Sequence, residues 1–269
     1  MKKKLYLGHF PSKFLGQNFL INQIIIDQIV HSINPKLKDI LVEIGPGLGA
    51  LTKKISGFVD ELIVIEVDPN LINKLKKYKF SKKLKIFLSN VLYFNFLNLF
   101  NKKKNIRIFG NLPYNISTEI IIYLTQFSNI IDDMNFMLQK EVANRLLAKP
   151  NTKSYGRLSV IVQYFFNVNF LFNIHSESFF PIPKVQSSFL KFIPHIDCPY
   201  FLKNIDTLSF VTKIAFNQRR KIILNSLRGF FNSCILNKLG ISPFLRAENI
   251  SVEQYCVLAN YIYDHKLYK

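Results

Sequence analysis

Between residues 20 and 140, short runs of apolar and β-branched residues alternate with longer segments that are compatible with helices. The runs are 40–44, 62–67, 84–88, 106–109 and 135–138. Strands separated by helices pair in parallel, because each helical crossover returns the chain to the same end of the sheet. The alternation therefore predicts a doubly wound α/β domain with a parallel sheet.

A change of pattern follows this region. Aromatic-rich runs at 160–166 and 188–192 flank the proline-containing segment Phe180–Pro183. We interpret the two runs as closing strands around an extended loop, because prolines interrupt regular pairing between them. Beyond Pro194 the chain is helical in character, with Gly229 and Gly240 as expected helix ends. The sequence thus predicts two domains, residues 1–194 and 195–269.

A glycine-rich loop follows the first predicted strand. Gly45, Gly47 and Gly49 stand in a GxGxG pattern, which lets a backbone turn sharply and approach a ligand closely. Glu66 ends the second strand about twenty residues later, where an acidic side chain can accept hydrogen bonds from both hydroxyls of a ribose. The pair indicates a nucleoside cofactor and is more specific than either feature alone. An exposed charge at a strand end is the less favoured alternative for Glu66.

Charge favours one cofactor over another. Glu43 lies beside the glycine loop, and a negative charge there suits a cationic ligand better than a pyrophosphate. The spacing also differs from the GxGxxG pattern that is typical of dinucleotide binding. S-adenosylmethionine carries a sulfonium and an ammonium group. We therefore predict S-adenosylmethionine and not a nicotinamide dinucleotide.

The tetrapeptide at residues 111–114, just after the run at 106–109, carries the most specific chemistry. An exocyclic amine on a nucleobase is a poor nucleophile, because its lone pair is delocalised into the ring. The side-chain oxygen of Asn111 and the carbonyl of Leu112 can accept both amine hydrogens and favour a pyramidal nitrogen. Pro113 restricts Leu112 to an extended conformation, and Tyr114 offers a face on which an extruded base can stack. The alternative is an ordinary strand followed by a turn.

The chain is strongly basic. It has 36 Lys and Arg against 17 Asp and Glu, a formal net charge of +19, which attracts polyanions such as nucleic acids. A general drift of composition toward lysine would inflate this charge without changing its sign. The candidate phosphate-binding residues on or near one predicted helix are Arg219, Arg220 and Lys221, followed by Asn225, Arg228 and Arg246; a solvated helix face is the alternative. Arg145, with Lys140 and Lys149, follows the fifth strand and is expected to border an RNA groove, whereas Lys102–Lys104 is expected to be surface charge.

Other classes of site are not indicated. The three cysteines lie far apart, without a CxxC pair, and the five histidines are scattered, so we predict neither a metal site nor a disulfide framework. The start of the chain is too short and too polar for a secretory signal, and no stretch approaches the length of a membrane span. We expect a cytoplasmic monomer without a membrane partner.

Several motifs together resemble the ribosomal RNA adenine dimethyltransferases over nearly the whole length of the chain. They are the segments 13–20, 45–49, 111–116, 179–187 and 215–221. The resemblance implies a Rossmann-like class I S-adenosylmethionine-dependent methyltransferase with a small C-terminal helical domain that binds RNA.

Residue roles follow from the same resemblance. It implies that S-adenosylmethionine is held by Asn18, Leu20, Gly45, Gly47, Glu66, Asn90 and Asn111. Phe179, the aromatic residue of the F-x-P-x-P-K-V pattern, would cover the face of the target adenine opposite Tyr114. One position departs from the family, where an Asp usually accepts a hydrogen bond from the adenine of the cofactor. Asn90 can still accept that bond without charge assistance, so weaker cofactor binding is expected.

The implied reaction is transfer of methyl groups to the N6 amines of two adjacent adenosines in the 3′-terminal hairpin loop of 16S rRNA, with a role in small-subunit biogenesis. Asn90 alone favours a ribosome-assembly factor that acts mainly by binding. The related 23S rRNA adenine methyltransferases are a second alternative, but the segment 246–254 and the helix around Gln218 resemble the small-subunit group. A DNA adenine methyltransferase ranks last, because two prolines typically follow the Asp or Asn there, whereas Leu112 stands in the place of the first.

Overall fold

The structure, a computed structural model, describes residues 5–100 and 105–267. Its strands are β1 (Phe19–Leu20), β2 (Ile40–Ile44), β3 (Leu62–Glu66), β4 (Leu84–Leu88), β5 (Ile106–Asn111), β6 (Ile131–Gln139), β7 (Phe166–Ile174), β8 (Phe179–Phe180) and β9 (Ser187–Pro194). Its α-helices are α1 (Gln23–Ile33), α2 (Ala50–Ile55), α3 (Pro69–Leu75), α4 (Ser117–Leu124), α5 (Lys140–Leu147), α6 (Arg157–Phe165), α7 (Ile205–Asn217), α8 (Ile223–Ser226), α9 (Ser233–Lys238) and α10 (Val252–Asp264). Over the described residues, no helix combines the length and the apolar character that crossing a membrane requires.

Seven strands form the main sheet in the order β4-β3-β2-β5-β6-β9-β7. The strands β2 to β6 pair in parallel, and β9 runs antiparallel to β6. The five predicted strands and their parallel pairing are confirmed. The chain proceeds outward from β2 through β3 and β4, then returns to place β5 on the other side of β2. This reversal opens a crevice at the carboxyl ends of β2 and β5, where ligands bind in doubly wound folds.

Burial on both faces explains why the central strands are so apolar. All five residues of β3 are buried, and so are four of the five in β2. Strands covered by helices on both sides have no solvent face, and their sequences therefore read as continuous apolar runs. One core cluster joins β2, β3 and β5 to α1 and α2, and includes Phe109 and Ile29. This packed layer fixes the loops that carry the site.

The predicted strand at residues 160–166 is wrong. Residues 160–165 belong to α6, and the strand β7 begins only at Phe166. The helix buries Leu158, Val160, Ile161 and Val162 together, and a continuous apolar run of this length does not distinguish a buried helix from a strand. The side chain of Gln163 also donates to the carbonyls of Leu146 and Ala148, both at 2.8 Å, near the end of α5. A strand would not direct that side chain to the carbonyls that α5 leaves without partners.

The chain divides into two compact units. The first contains residues 1–143 and 168–194, and the second contains 144–167 and 195–269. One division between the units follows Pro194, and the second unit also takes in residues 144–167. The reason is packing, because Tyr155, Val160 and Ile161 share a core with α7 and α10. Asn151 adds a backbone hydrogen bond of 2.8 Å to the carbonyl of Glu248.

Candidate active site

A cavity of about 320 Å³ lies at the carboxyl ends of the parallel strands in the first unit. Its size is in the range of small-molecule sites. The structure brings together here every predicted cofactor residue and four of the five predicted catalytic residues: Asn18, Leu20, Gly45, Gly47, Glu66, Asn90, Asn111, Leu112, Pro113 and Tyr114. Residues separated by almost one hundred positions in the sequence therefore share one pocket.

The glycine loop requires its glycines. Gly45, Gly47 and Gly49 have φ angles of +67°, +57° and +84°, which side chains rarely tolerate. A Cβ atom on Gly47 would also lie 3.2 Å from the ring of Phe19. The amide of Gly45 donates to the carbonyl of Ile65 at 2.9 Å, which ties the loop to the neighbouring strand. The loop is a close-fitting backbone cradle at the floor of the cavity.

Glu66 sits at the end of β3 with its carboxylate enclosed by backbone amides. One oxygen accepts from the amides of Val67 and Asp68 at 2.9 and 3.0 Å, and the other accepts from Gly47 at 3.3 Å. Burial nevertheless raises the pKa of Glu66 above its ordinary value, against the opposing effect of these hydrogen bonds. The side chain remains on the cavity wall, where its free lone pairs can accept further hydrogen bonds.

Glu43 differs from the prediction in its charge. Its side chain lines the cavity but is only 2% exposed, and Oε2 finds no hydrogen-bond partner among the described residues. Burial, assisted by the nearby charge of Glu66, raises the pKa of Glu43 to about 8. The group is therefore mostly neutral at pH 7, and the expected negative charge beside the loop is absent until a cation stabilises it.

The side chain of Asn111 is fixed by one hydrogen bond. Its Nδ2 donates to the carbonyl of Asn18 at 2.7 Å, which sets the orientation of the amide and leaves Oδ1 as an acceptor on the cavity wall. Gly110 makes this position possible, because a Cβ there would collide with the backbone carbonyl of Ile44. The end of β5 can thus approach β2 more closely than any other residue type would allow.

A hydrogen bond at its hydroxyl group fixes the side chain of Tyr114. Its hydroxyl lies 2.6 Å from Oγ of Ser187, at the start of β9, and the ring is half-buried on the cavity wall. Burial raises the pKa of Tyr114 above its ordinary value, so the phenol stays neutral. Ser187 was not singled out from the sequence. Its distance of 73 positions from Tyr114 gave no local signal, and only the pairing of β9 with β6 brings it near.

Phe179 does not reach this cavity. Its ring is wholly buried in the core of the first unit, and the residue does not line the pocket. Phe179 lies in the short strand β8, whose pairing with β1 sets alternate side chains on opposite faces. Its neighbour Phe180 stacks on Tyr6 with ring centroids 5.0 Å apart. In this arrangement Phe179 has no free face for a base.

Asn90 caps a short turn. Its Oδ1 accepts a hydrogen bond of 3.0 Å from the amide of Leu92, and the residue lines the cavity. The oxygen predicted to bind the cofactor is therefore already engaged through one lone pair. An amide oxygen can accept a second hydrogen bond, but a carboxylate would offer another oxygen as well.

The N-terminal arm is joined to the cavity by a network that the sequence did not reveal. Gln17 donates from Nε2 to Asp68 at 2.9 Å, and its Oε1 lies 3.0 Å from Nε2 of His9. The same His9 nitrogen is 3.7 Å from the carboxylate of Asp68, and all three side chains are largely enclosed. Asp68 also caps α3 by accepting from the amide of Asn70. The arm is thereby positioned so that Asn18 can meet Asn111.

The predicted RNA-binding residues lie in the second unit, and Arg219 is already used. It pairs with Glu248 at 2.7 Å and donates to the carbonyl of Lys153. Because α7 ends at Asn217, Arg219, Arg220 and Lys221 lie near this helix, in the turn that follows it. Arg220 and Lys221 are exposed. Arg145 lies in the last turn of α5. Lys102–Lys104 falls outside the described residues.

The cavity fits an adenosyl cofactor that carries positive charge. Gly47 and its neighbours leave room for close approach, Glu66 offers acceptor oxygens, and Oε2 of Glu43 is a buried polar atom without a hydrogen-bond partner among the described residues. A pyrophosphate would instead place its negative charges beside the carboxyl groups of Glu43 and Glu66. In the described part of the chain, no cluster of three or more His, Cys, Asp or Glu residues could hold a metal ion.

Comparison with known proteins agrees with this geometry. The family model described as ribosomal RNA adenine dimethylase matches residues 9–264. The chain belongs to this family. Ribosomal RNA small subunit methyltransferase A of Buchnera aphidicola subsp. Schizaphis graminum is 57% identical over 270 residues, covering 100% of this chain and 98% of that protein. The protein of the same name from Escherichia coli (strain 55989 / EAEC) is 47% identical and covers 98% of both chains.

Solved structures support the fold of this dimethylase. A dimethyladenosine transferase from Plasmodium falciparum aligns with a TM-score of 0.76 at 28% identity, over 92% of this chain and 98% of that one. The 23S rRNA methyltransferase ErmE aligns with a TM-score of 0.67 at 20% identity, over 90% and 98% of the two chains, which shows the shared fold alone. The protein is an S-adenosylmethionine-dependent adenine dimethyltransferase that acts on ribosomal RNA.

Proposed function

We propose that this dimethylase modifies two adjacent adenosines in the 3′-terminal hairpin loop of 16S rRNA, within the small ribosomal subunit or a precursor of it. The support for the small subunit comes from the names of relatives that are 47–57% identical over nearly the full chain. The protein works as a monomer in the cytoplasm, where that particle is assembled. Each target nitrogen receives two methyl groups in successive rounds and ends as N6,N6-dimethyladenosine.

The observation that carries the catalytic proposal is the hydrogen bond of 2.7 Å from Nδ2 of Asn111 to the carbonyl of Asn18. It leaves Oδ1 as the only acceptor on that side chain and prevents the amide from turning. Asn111 Oδ1 and the carbonyl of Leu112 then accept the two hydrogens of the adenine amine. These contacts draw the nitrogen lone pair out of conjugation with the ring, and fixed dipoles stabilise the charge that develops.

The surrounding residues bind the cofactor and orient the target base. When bound, S-adenosylmethionine supplies an electrophilic methyl group, and Glu66, Asn90, Asn18, Leu20 and the glycine loop hold it. Tyr114, anchored by Ser187, supports one face of the base. The amine nitrogen would form a bond to the methyl carbon as the bond from that carbon to the sulfonium sulfur breaks, which leaves a neutral thioether; the resulting ammonium gives its proton to water. Proximity and orientation provide much of the acceleration, since the adenine amine attacks directly and neither a protein nucleophile nor a general base is required.

Replacing Asn111 with Ala tests the proposed acceptor. We expect methyl transfer to unmethylated small subunits to fall about 100-fold or more, comparable to removal of one preorganised polar group from a transition state. Initial rates with radiolabelled cofactor would measure this fall. Asn98→Ala is the matched control, because Asn98 is exposed and lies outside the cavity lining. Turnover near the original rate in Asn111→Ala would contradict the proposal.

The substrate is tested separately. Unmethylated small subunits and free large subunits are incubated with labelled cofactor, and the labelled nucleotides are mapped. We expect label only on N6 of the two adjacent adenosines near the 3′ end of 16S rRNA. Label on 23S rRNA, or on another atom of the nucleotide, would refute this assignment.

A further inference from the structure

The segment Lys74–Lys85 forms a second basic surface, which lies at the rim of the cavity. It holds seven lysines and no acidic residue in twelve positions, whereas the chain average of 36 Lys and Arg in 269 residues gives fewer than two. We propose that this lysine surface binds a single-stranded segment of the RNA substrate beside the base that enters the cavity. The proposal extends the proposed function and rests on it for the identity of the RNA.

Some of the lysines have structural partners. Lys83 donates from Nζ to the carbonyls of Ser56 and Val59 at 3.0 and 2.9 Å, near the end of α2. Lys74 donates to the carbonyl of Leu7 in the N-terminal arm at 2.8 Å. Lys85 lies 5.8 Å from the centre of the Phe87 ring. These contacts within the protein account for the three lysines without any ligand.

The other four lysines of this surface show no such contact within the described residues. Lys76, Lys77, Lys79 and Lys82 are exposed, and no carboxylate of the described residues pairs with their ammonium groups. Four positive charges without carboxylate partners among the described residues, within seven positions, create a local positive potential that attracts a polyanion. Phosphates of a nucleic acid neutralise these charges and release counterions when they bind.

An aromatic pair stands among these charges. The rings of Tyr78 and Phe80 are stacked, with centroids 5.1 Å apart and planes 14° from parallel. Tyr78 remains 37% exposed, and both residues belong to the lining of the cavity. Aromatic faces between lysines are the arrangement with which proteins bind unpaired nucleotides, because bases stack on the rings while cations follow the backbone. An anionic membrane surface would use the lysines but would not require the ring face.

The position of the surface suits the reaction. Lys74 connects it to the arm that carries Asn18, and Tyr78 and Phe80 share the cavity with Asn111. An extruded adenine leaves flanking nucleotides unpaired, and these need a surface close to the catalytic turn. The lysine surface therefore supplies electrostatic and stacking affinity without reading the sequence.

Fluorescein-labelled oligouridylate of about twelve nucleotides tests the proposal, because it lacks the adenine amine. Its dissociation constant is measured by anisotropy between 50 and 200 mM KCl. In Lys77→Gln/Lys79→Gln we expect the slope of log Kd against log[KCl] to fall by about 1.4, since each phosphate contact to a single strand contributes about 0.7. The matched control is Lys36→Gln/Lys38→Gln, two exposed lysines that precede β2 and lie outside the lysine surface and the cavity lining. Its slope should equal that of the original protein.

Tyr78 is tested at constant salt. Tyr78→Ala should weaken oligouridylate binding by about 5-fold to 100-fold, whereas Tyr78→Phe keeps the stacking face and should bind within 2-fold of the original protein. Thermal melting monitors the fold of each variant, and a variant with an altered melting temperature is replaced by Tyr78→Leu. Equal slopes in the two lysine variants would overturn the proposal. So would a Lys77→Gln/Lys79→Gln variant that no longer binds phosphatidylglycerol vesicles but still binds oligouridylate as the original protein does. Failure of the original protein to methylate small subunits would instead refute the proposed function and leave these results intact.

Discussion

At the scale of single residues, the site depends on small constraints that fix a few atoms. Gly110 has no side chain, so the end of β5 lies against the carbonyl of Ile44, and this approach sets where Asn111 begins its turn. The importance of Asn111 could be predicted from its neighbours in sequence. Its hydrogen bond to Asn18 could not, because nothing in a linear pattern specifies which backbone carbonyl meets a side chain 93 positions away.

Gly110→Ala tests the close approach. The added methyl group would meet backbone, which cannot move aside as a flexible side chain would, and we expect the free energy of unfolding to fall by about 2 kcal/mol. Urea denaturation followed by circular dichroism measures this change. Gly156→Ala is the control, because no atom lies within 4 Å of a Cβ there and its φ of −165° is ordinary extended backbone. Equal stability of the two variants would show that β5 tolerates displacement.

At the scale of elements, the end of the sheet opposite the cavity is held by one arginine. Arg107 in β5 pairs with Asp133 of β6 at 2.9 Å and with Asp39 before β2 at 2.6 Å. It also donates to the carbonyls of Ile33 and Asn34 at the end of α1. Strand order and direction could be predicted from the alternation of apolar runs, but this junction could not. The wrong prediction of a strand at residues 160–166 has a related cause. The sequence does not specify the hydrogen-bond partners of Gln163, just as it does not specify those of Arg107.

Replacing Arg107 with Met should destabilise the first unit without affecting cofactor contacts. Asp133 has a side chain only 8% exposed and would keep only Lys191 as a cationic partner among the described residues, at 3.1 Å. Leaving a buried carboxylate poorly compensated costs about 3 kcal/mol. Lys54→Gln removes an exposed ion pair with Asp27 and should cost less than about 1 kcal/mol. Chemical denaturation compares the two, and a larger loss in Lys54→Gln would contradict this account.

At the scale of the whole molecule, composition predicted a basic protein for a polyanionic partner but not where the charge would be available. Arg219, which belonged to the most prominent basic run in the second unit, is paired with Glu248. The lysines at 76–82, which no motif singled out, are exposed without carboxylate partners among the described residues. The ionisation state of the cavity was also unpredictable, because the charge of Glu43 depends on how completely the fold buries it.

The buried Glu43 gives the stability of the protein a characteristic pH dependence. Its pKa is raised from 4.5 to about 8 in the folded protein, so between these values the unfolded chain loses a proton that the folded chain retains. The contribution of Glu43 to stability is fully present below about pH 4.5 and should fall by about 1.4 kcal/mol per pH unit up to about pH 8. In Glu43→Gln this contribution disappears, so the variant should lose less stability than the original protein between pH 5 and pH 8. Urea denaturation at both pH values measures the difference, and Glu61→Gln, at an exposed position, should behave as the original protein does. Parallel pH profiles for Glu43→Gln and the original protein would mean that Glu43 ionises in the folded cavity without cost.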